Sequence, residues 1–219
     1  IDVGTARPYQ VIIEPGALDR LGETARQLKK PGTKAMLISD SNVHPLYGAR
    51  VERSLAGAGF PVSTFVFPAG EENKQISTVC GMYQALAEAN FTRTDLIVTL
   101  GGGVVGDMGG FAAATFLRGM DFLQAPTTLV SQADASVGGK TGVDLPFGKN
   151  LVGAFHQPIA VVTDPEALST LPQHFFNDGL GEVIKHGCIA DAELFEALEQ
   201  GAALGDMTAV VGRSIAIKR

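Results

Sequence analysis

Short apolar runs rich in β-branched residues alternate with longer segments of helical periodicity over the first two thirds of the chain. The short runs predict strands at residues 9–13, 34–39, 62–67, 95–100, 122–125 and 159–163. The longer segments predict helices at residues 18–29, 45–58, 75–89 and 104–117. Such alternation favours right-handed crossovers between parallel strands. We therefore expect an α/β fold, Rossmann-like, with a mostly parallel sheet and flanking helices.

The pattern changes at Asp164-Pro165, a pair typical of a helix start, with the aspartate as cap and the proline in the first turn. From there to Arg219 the sequence predicts only helices. The last one, at residues 207–219, has no glycine or proline stop signal. We expect an α/β domain at residues 1–163 and, at residues 164–219, the first helices of an all-helical domain that the chain leaves incomplete.

Composition narrows the classes of function. The net charge is −6, and no basic cluster is longer than Lys29-Lys30, so we expect no nucleic-acid partner. The apolar window 96–117 holds six glycines and Asp107, which favours a buried strand, loop and helix over a membrane span. Cys80 and Cys188 lie in apolar, helix-like segments, which predicts reduced core residues in a cytoplasmic protein.

Glycine is in excess, with 27 among 219 residues, and the densest cluster begins with GGGVVGD at residues 101–107. This places GxGxxG at Gly101, Gly103 and Gly106, directly after a predicted strand and at the start of a predicted helix. Such a turn lets backbone amides meet a diphosphate at the positive end of a helix. The alternative is that these glycines only allow close packing of helix and sheet. The motif also follows the fourth predicted strand, whereas a plain Rossmann unit carries it after the first.

Charged residues are scarce between Phe122 and Thr163, where they are Asp134, Lys140, Asp144 and Lys149. Both lysines follow glycine, and an ammonium on a glycine turn suits a phosphate or carboxylate ligand. The letters Gly-Lys-Thr at 139–141 do not form an ATPase P-loop, because the required glycine is Asp134. The alternative is a pair of solvent-facing turn lysines.

Two further groups of polar residues are candidates. Asp40, Ser41 and Asn42 follow one predicted strand, and Glu71 and Lys74 follow another, where open α/β sheets bind ligands; ordinary turns are the alternative.

The last group lies on a predicted helix. Glu182 and His186 are four residues apart and could share a metal, but Glu182 and Lys185 could equally form a surface pair, which the spacing alone favours.

Taken together, these segments resemble the 3-dehydroquinate synthase family of the sugar phosphate cyclase superfamily. The resemblance rests on GGGVVGD at 101–107, ATFLRG at 114–119, PTTL at 126–129, SVGGKTGV at 136–143, FGKNLVGAFHQP at 147–158 and GLGEVIKHG at 179–187. These segments occur in the family's order along the whole chain.

The resemblance implies roles for individual residues. The cofactor NAD would be bound by Asp40, Ser41, Asn42, Glu71, Lys74, Gly102, Gly103, Val104, Asp107, Thr127, Thr128, Lys149, Ala167, Leu168, Ser169 and Thr170. The catalytic residues that contact substrate would be Arg118, Asp134, Lys140, Asn150 and Lys185. Glu182 would bind a divalent metal, zinc or cobalt. The family's two histidine ligands lie further along and are absent from this chain, and His186 is not one of them.

The implied activity is 3-dehydroquinate synthase, a phosphate-eliminating lyase of the shikimate pathway and aromatic amino acid biosynthesis. It converts 3-deoxy-D-arabino-heptulosonate 7-phosphate to 3-dehydroquinate and phosphate by transient NAD-dependent oxidation, elimination, reduction and aldol cyclisation. We expect this chain to be inactive alone, and the family implies a cytoplasmic homodimer with no membrane partner. The alternatives are a related sugar phosphate cyclase, a glycerol-dehydrogenase-type alcohol dehydrogenase and a non-catalytic NAD-binding module.

Overall fold

The structure is a computed structural model and describes residues 1–201 and 205–219. Its main sheet has seven strands: β1 (Asp2–Val3), β2 (Tyr9–Ile13), β3 (Ala35–Asp40), β4 (Val62–Phe67), β5 (Leu96–Gly101), β6 (Asp121–Pro126) and β9 (Ala160–Thr163). Their spatial order is β1-β2-β9-β6-β5-β3-β4. Only the pairing of β1 with β2 is antiparallel, which confirms the predicted mostly parallel sheet.

The predicted helices are present with small shifts at their ends. They are α1 (Leu21–Leu28), α2 (Ala49–Gly57), α3 (Ile76–Glu88), α4 (Gly103–Thr115), α5 (Gln173–Ala190), α6 (Ala192–Glu199) and α7 (Met207–Lys218). After Asp164 the described residues form helices and no strands, whereas the part of the predicted helical stretch at 202–204 lies outside the described residues. None of the described helices has both the length and the apolar character needed to cross a membrane.

Alternate side chains of the central strands enter different cores, so these strands are apolar on both faces. Leu37 of β3 packs with α1 and α2 in one core. Its neighbours Met36 and Ile38 pack with α3 and α4 in a second core on the opposite face. A third core joins Val11 and Val161 at the β1 side of the sheet to Val183 of α5 and Val211 of α7.

Helix α4 approaches the sheet closely because it carries glycine where it crosses. A Cβ atom on Gly109 would collide with the Thr99 side chain of β5, and one on Gly110 would lie 3.2 Å from the Phe122 ring of β6. For these two glycines the close-packing interpretation therefore describes the structure.

An antiparallel hairpin, β7 (Lys140–Leu145) and β8 (Gly148–Phe155), lies where we predicted only glycine turns. Its inner residues Val143 and Val152 pack onto the core beneath α4. Its outer side exposes Leu151 and Phe155, which are 58% and 85% accessible. The hairpin thus packs against α4 and presents a partly apolar surface on its outer side.

Two local expectations have clear outcomes. The Asp164 carboxylate is buried and accepts the N–H groups of Gly16, Leu18 and Glu166, so the predicted helix start is confirmed. The prediction that Cys80 and Cys188 are core residues is wrong, because both are exposed on their helices.

Candidate active site

A cavity of about 820 Å³ opens at the carboxyl ends of the central strands, within the range of about 300–1,000 Å³ typical of ligand pockets. Loops that are far apart in sequence meet here because parallel strands end at the same edge of the sheet. Most of the residues predicted to bind the cofactor line it: Asp40, Ser41, Asn42, Glu71, Lys74, Gly102, Gly103, Val104, Asp107, Thr127, Thr128, Ala167 and Thr170. We call it the larger cavity.

The amino end of α4 forms the part of the larger cavity best suited to an anion. Gly102 precedes the helix with extended backbone and no side-chain cap, so the first N–H groups of the helix have no partner within it. Thr127 lies beside them, and its buried hydroxyl makes no hydrogen bond within residues 1–201 and 205–219. Free donors at a helix start fit the diphosphate of a dinucleotide such as NAD.

Part of the lining of the larger cavity is apolar, which the sequence did not predict. Leu46, Tyr47 and Phe175 line it. The Tyr47 hydroxyl donates to the carbonyl of Ala167 at 3.1 Å, which fixes the ring against that segment. The sequence assigned these side chains only to helices, and nothing in their spacing distinguishes them from core residues.

Three predicted cofactor residues do not line the larger cavity. Lys149 lies outside it and pairs with the lining residue Glu71 at 3.0 Å, which raises the pKa of Lys149. Leu168 packs in the third core, and the Ser169 hydroxyl donates to the Glu166 carbonyl. Their neighbours Ala167 and Thr170 do line the larger cavity, as predicted for all four residues of the segment.

A second cavity of about 470 Å³ adjoins the first, with Asp107 and Ala135 lining both. We call it the smaller cavity. It brings together three of the predicted substrate residues, Asp134, Lys140 and Asn150. Its remaining wall comes mainly from the hairpin, including Leu151 and Phe155.

Lys218 is a functional candidate that the sequence pattern did not identify. It lines the smaller cavity, and its Nζ donates to Asp134 Oδ1 at 2.6 Å. Burial acts to raise the pKa of Asp134, but the bond from Lys218 and the nearby positive charges of Lys218 and Lys185 together lower the pKa of that carboxyl. A signal existed, since Val210, Val211, Ser214 and Ile215 are buried and position 218 continues their helical stripe with a charge.

Glu182 lies beside two other metal-binding groups. Its carboxylate, that of Asp134 and the imidazole of His186 have ligand atoms within 4.8 Å of one another. His186 is 2% exposed, and its Nδ1 has no hydrogen-bond partner in the described part of the chain. Burial lowers the His186 pKa and favours the neutral ring that can bind a metal. Two carboxylates and an imidazole suit zinc or a similar divalent ion.

The two remaining predicted residues lie differently. Lys185 is exposed and pairs with Glu182, the contact that spacing alone favoured. Arg118 is exposed in a left-handed turn, with φ 66°, after α4 and lines neither cavity, so its role stays a prediction.

The family model described as 3-dehydroquinate synthase N-terminal matches residues 64–178, more than half of the chain. The chain belongs to this family. The 3-dehydroquinate synthase of Clostridium acetobutylicum is 52% identical over 192 residues, which are 88% of this chain and 54% of that protein. The chain thus spans about half the length of the curated relatives it matches.

Two solved structures share the fold, and their sequences are 28% and 29% identical to this chain. The 2-epi-5-epi-valiolone synthase of Streptomyces hygroscopicus, with NAD⁺ and Zn²⁺ bound, is 29% identical with a TM-score of 0.81, covering 100% of this chain and 60% of that one. A 2-deoxy-scyllo-inosose synthase complexed with carbaglucose-6-phosphate, NAD⁺ and Co²⁺ is 28% identical with a TM-score of 0.78, covering 85% and 51%.

Proposed function

We propose that the protein takes part in the 3-dehydroquinate synthase reaction, as an NAD- and metal-dependent lyase that acts on 3-deoxy-D-arabino-heptulosonate 7-phosphate. The observation that carries the proposal is that two cavities adjoin at Asp107, one suited to a dinucleotide and the other to an anionic substrate. The family match supports this reaction over that of glycerol dehydrogenases. Both solved neighbours are described with NAD⁺ bound.

On the cofactor side, the amides at the start of α4 and the hydroxyl of Thr127 bind the diphosphate. When bound, the nicotinamide supplies a reversible two-electron acceptor, which allows a ring carbinol to be oxidised and later reduced. Leu46, Tyr47 and Phe175, which line the larger cavity, would give a bound cofactor an apolar surface and shield it from water.

On the substrate side, Lys140 and Lys218 supply positive charge to the smaller cavity of a protein whose net charge is −6. A substrate with both a phosphate and a carboxylate needs such a local region of positive charge in an acidic protein. Asp134 keeps Lys218 directed into the cavity, and Lys185 adds a further cation near Asp134. Arg118 belongs to the proposed substrate contacts on resemblance alone.

Glu182 would hold the divalent metal, with Asp134 and His186 close enough to share it. A bound ion supplies Lewis acidity at the substrate's hydroxyl oxygens.

The wider organisation is part of the same proposal. It comprises an NAD-binding domain at residues 1–163, a helical part of the metal and substrate domain from residue 164 onward, a homodimer and a cytoplasmic location. The domain bounds, the homodimer and the cytoplasmic location rest on the resemblance to the family, whose curated members the chain matches.

Substrate binding to NAD-loaded protein tests the proposal. We expect Lys140→Ala to weaken calorimetric binding of the substrate by at least ~10-fold, the effect of losing about 1.4 kcal/mol, and to leave NAD affinity nearly unchanged. Lys30→Ala, at an exposed lysine remote from both cavities, is the control and should bind as the wild type does. Equal substrate affinity in the Lys140→Ala and wild-type proteins would remove the basis for the substrate assignment.

A further inference from the structure

Lys74 lines the larger cavity and makes a hydrogen bond to a residue of the smaller one. Its side chain is 6% exposed. Its Nζ donates to Asp107 Oδ2 and to Asn150 Oδ1, each at 2.7 Å. Lys74 lines the larger cavity, Asn150 lines the smaller one, and Asp107 lines both. One buried ammonium therefore joins a residue of each site.

The bond to Lys74 determines how Asn150 is presented. An ammonium group can only donate, so the amide atom facing it is the oxygen. The amide NH₂ of Asn150 is left as a donor for a ligand in the smaller cavity. Its natural acceptors are the hydroxyl, carboxylate and phosphate oxygens of a phosphorylated sugar acid.

The backbone around Asn150 depends on the same lysine. Asn150 has a left-handed φ of 56°, and its N–H donates to Asp144 Oδ1 at 2.7 Å. The N–H of Asp144 donates in turn to the Lys74 carbonyl at 2.8 Å. Lys74 thus supports Asn150 through its side chain and through its own backbone.

The charge of Asp107, which lines both cavities, connects the Lys74 ammonium with ligands in the larger cavity. Burial raises the pKa of Asp107, and the ammonium of Lys74 opposes that rise. A ligand that contacts Asp107 or Lys74 from the larger cavity changes the charge balance around the ammonium. It therefore changes the strength of the bond that holds Asn150.

We propose that Lys74 is a positioning residue that orients the Asn150 amide toward substrate and couples NAD binding to substrate binding. This inference rests on the proposed function above and adds a route between its two ligands. NAD should tighten substrate binding severalfold, and by thermodynamic linkage substrate should tighten NAD binding by the same factor.

Calorimetric titrations of each ligand with and without the other test the coupling. The affinity ratio is the substrate affinity with NAD divided by that without NAD. We expect Lys74→Met to reduce this ratio to about one and to weaken substrate binding about 10-fold. Lys29→Met is the matched control, because Lys29 is also a buried lysine, 8% exposed and paired with Asp121, but lies in neither cavity. The Lys29→Met protein should keep the wild-type affinity ratio. A ratio lost only in Lys74→Met therefore does not come from removing a buried lysine in general.

Asn150 variants separate orientation from packing. Asn150→Asp keeps an acceptor for Lys74 but loses the donor and adds a negative charge, so it should weaken binding of the anionic substrate at least as much as Asn150→Ala does while the protein stays folded. Combining Lys74→Met with Asn150→Ala should weaken substrate binding no further than Asn150→Ala alone.

The outcomes distinguish the two proposals. If the wild type binds both ligands but Lys74→Met keeps the wild-type affinity ratio, or Asn150→Asp binds substrate normally, the coupling is overturned and the proposed function stands. If the folded wild type binds neither ligand, the proposed function fails and this inference fails with it.

Discussion

Gly102 is the residue on which the proposed dinucleotide site most depends. Its backbone, with φ −76° and ψ −169°, is open to any residue type, so a side chain here need not disturb the fold. A Cβ atom at this position would lie 3.0 Å from Thr128 Cγ2, at the edge of the larger cavity. The Thr128 side chain must shift by a few tenths of an ångström to admit it, and a long side chain here would occupy part of the larger cavity beside the start of α4.

We predict that Gly102→Leu lowers NAD affinity by at least ~10-fold, because the side chain occupies the space of the diphosphate, equivalent to about 1.4 kcal/mol. The melting temperature should change little. Gly57→Leu, at the end of α2 where a Cβ atom meets nothing within 4 Å, is the control for a glycine lost elsewhere. Undiminished NAD affinity in the Gly102→Leu protein would place the nucleotide elsewhere.

Individual site residues were predictable only where a motif or a strand end marked them. Asp40 ends β3 and Gly103 closely follows β5, and the parallel topology alone brings them to one edge of the sheet. Lys218 and Tyr47 reach the site through the packing of distant helices, which no local pattern encodes. Leu168 and Ser169, predicted with the same segment, do not line the larger cavity, because a helical turn presents only some of its side chains there, and their role stays a prediction.

At the scale of elements, the hairpin of β7 and β8 shows why one part of the fold was missed. Strand prediction relies on polar residues alternating with apolar ones. In β8 the exposed positions Leu151 and Phe155 are apolar, and the inward ones include Ala154, so the contrast is lost. The central strands were found because burial on both faces gives continuous apolar runs.

Asp95 fixes the start of β5 beside β3. Its carboxylate accepts the Lys34 N–H at 2.8 Å, the Thr92 N–H at 2.7 Å and the Thr92 hydroxyl at 2.9 Å. Burial acts to raise the pKa of Asp95, but these bonds outweigh it, so its pKa in the folded protein lies below the ordinary value. A carboxyl with a depressed folded pKa stabilises the fold above its unfolded pKa, about 3.9, and this contribution is lost as the pH falls through the folded value.

Asp95→Asn should therefore lower the free energy of unfolding by about 1–3 kcal/mol at neutral pH, because an amide NH₂ would face a donor. The difference from the wild type should shrink as the pH falls below about 4. Urea unfolding at pH values on both sides of that point measures it, with the exposed Asp2→Asn as control. A difference that stays constant with pH would contradict the role of the ionised carboxylate.

For the molecule as a whole, charge and topology together explain the site. The chain is acidic overall, yet Lys140 and Lys218 meet in the smaller cavity next to the uncapped start of α4. The fold class followed from periodicity because each central strand is apolar on both sides. The adjoining cavities did not follow from periodicity, because they depend on where the hairpin and α7 pack. Only the resemblance to a family indicated which residues to expect together.

The most direct test of the account is where NAD binds. At 22.9 kDa the chain suits amide NMR, and an NAD titration reports every perturbed backbone group. We predict saturable shifts, one NAD per chain, concentrated at the amides of Gly102, Gly103 and Thr127. A folded protein whose amides do not respond to NAD, or respond only away from the larger cavity, would contradict the account.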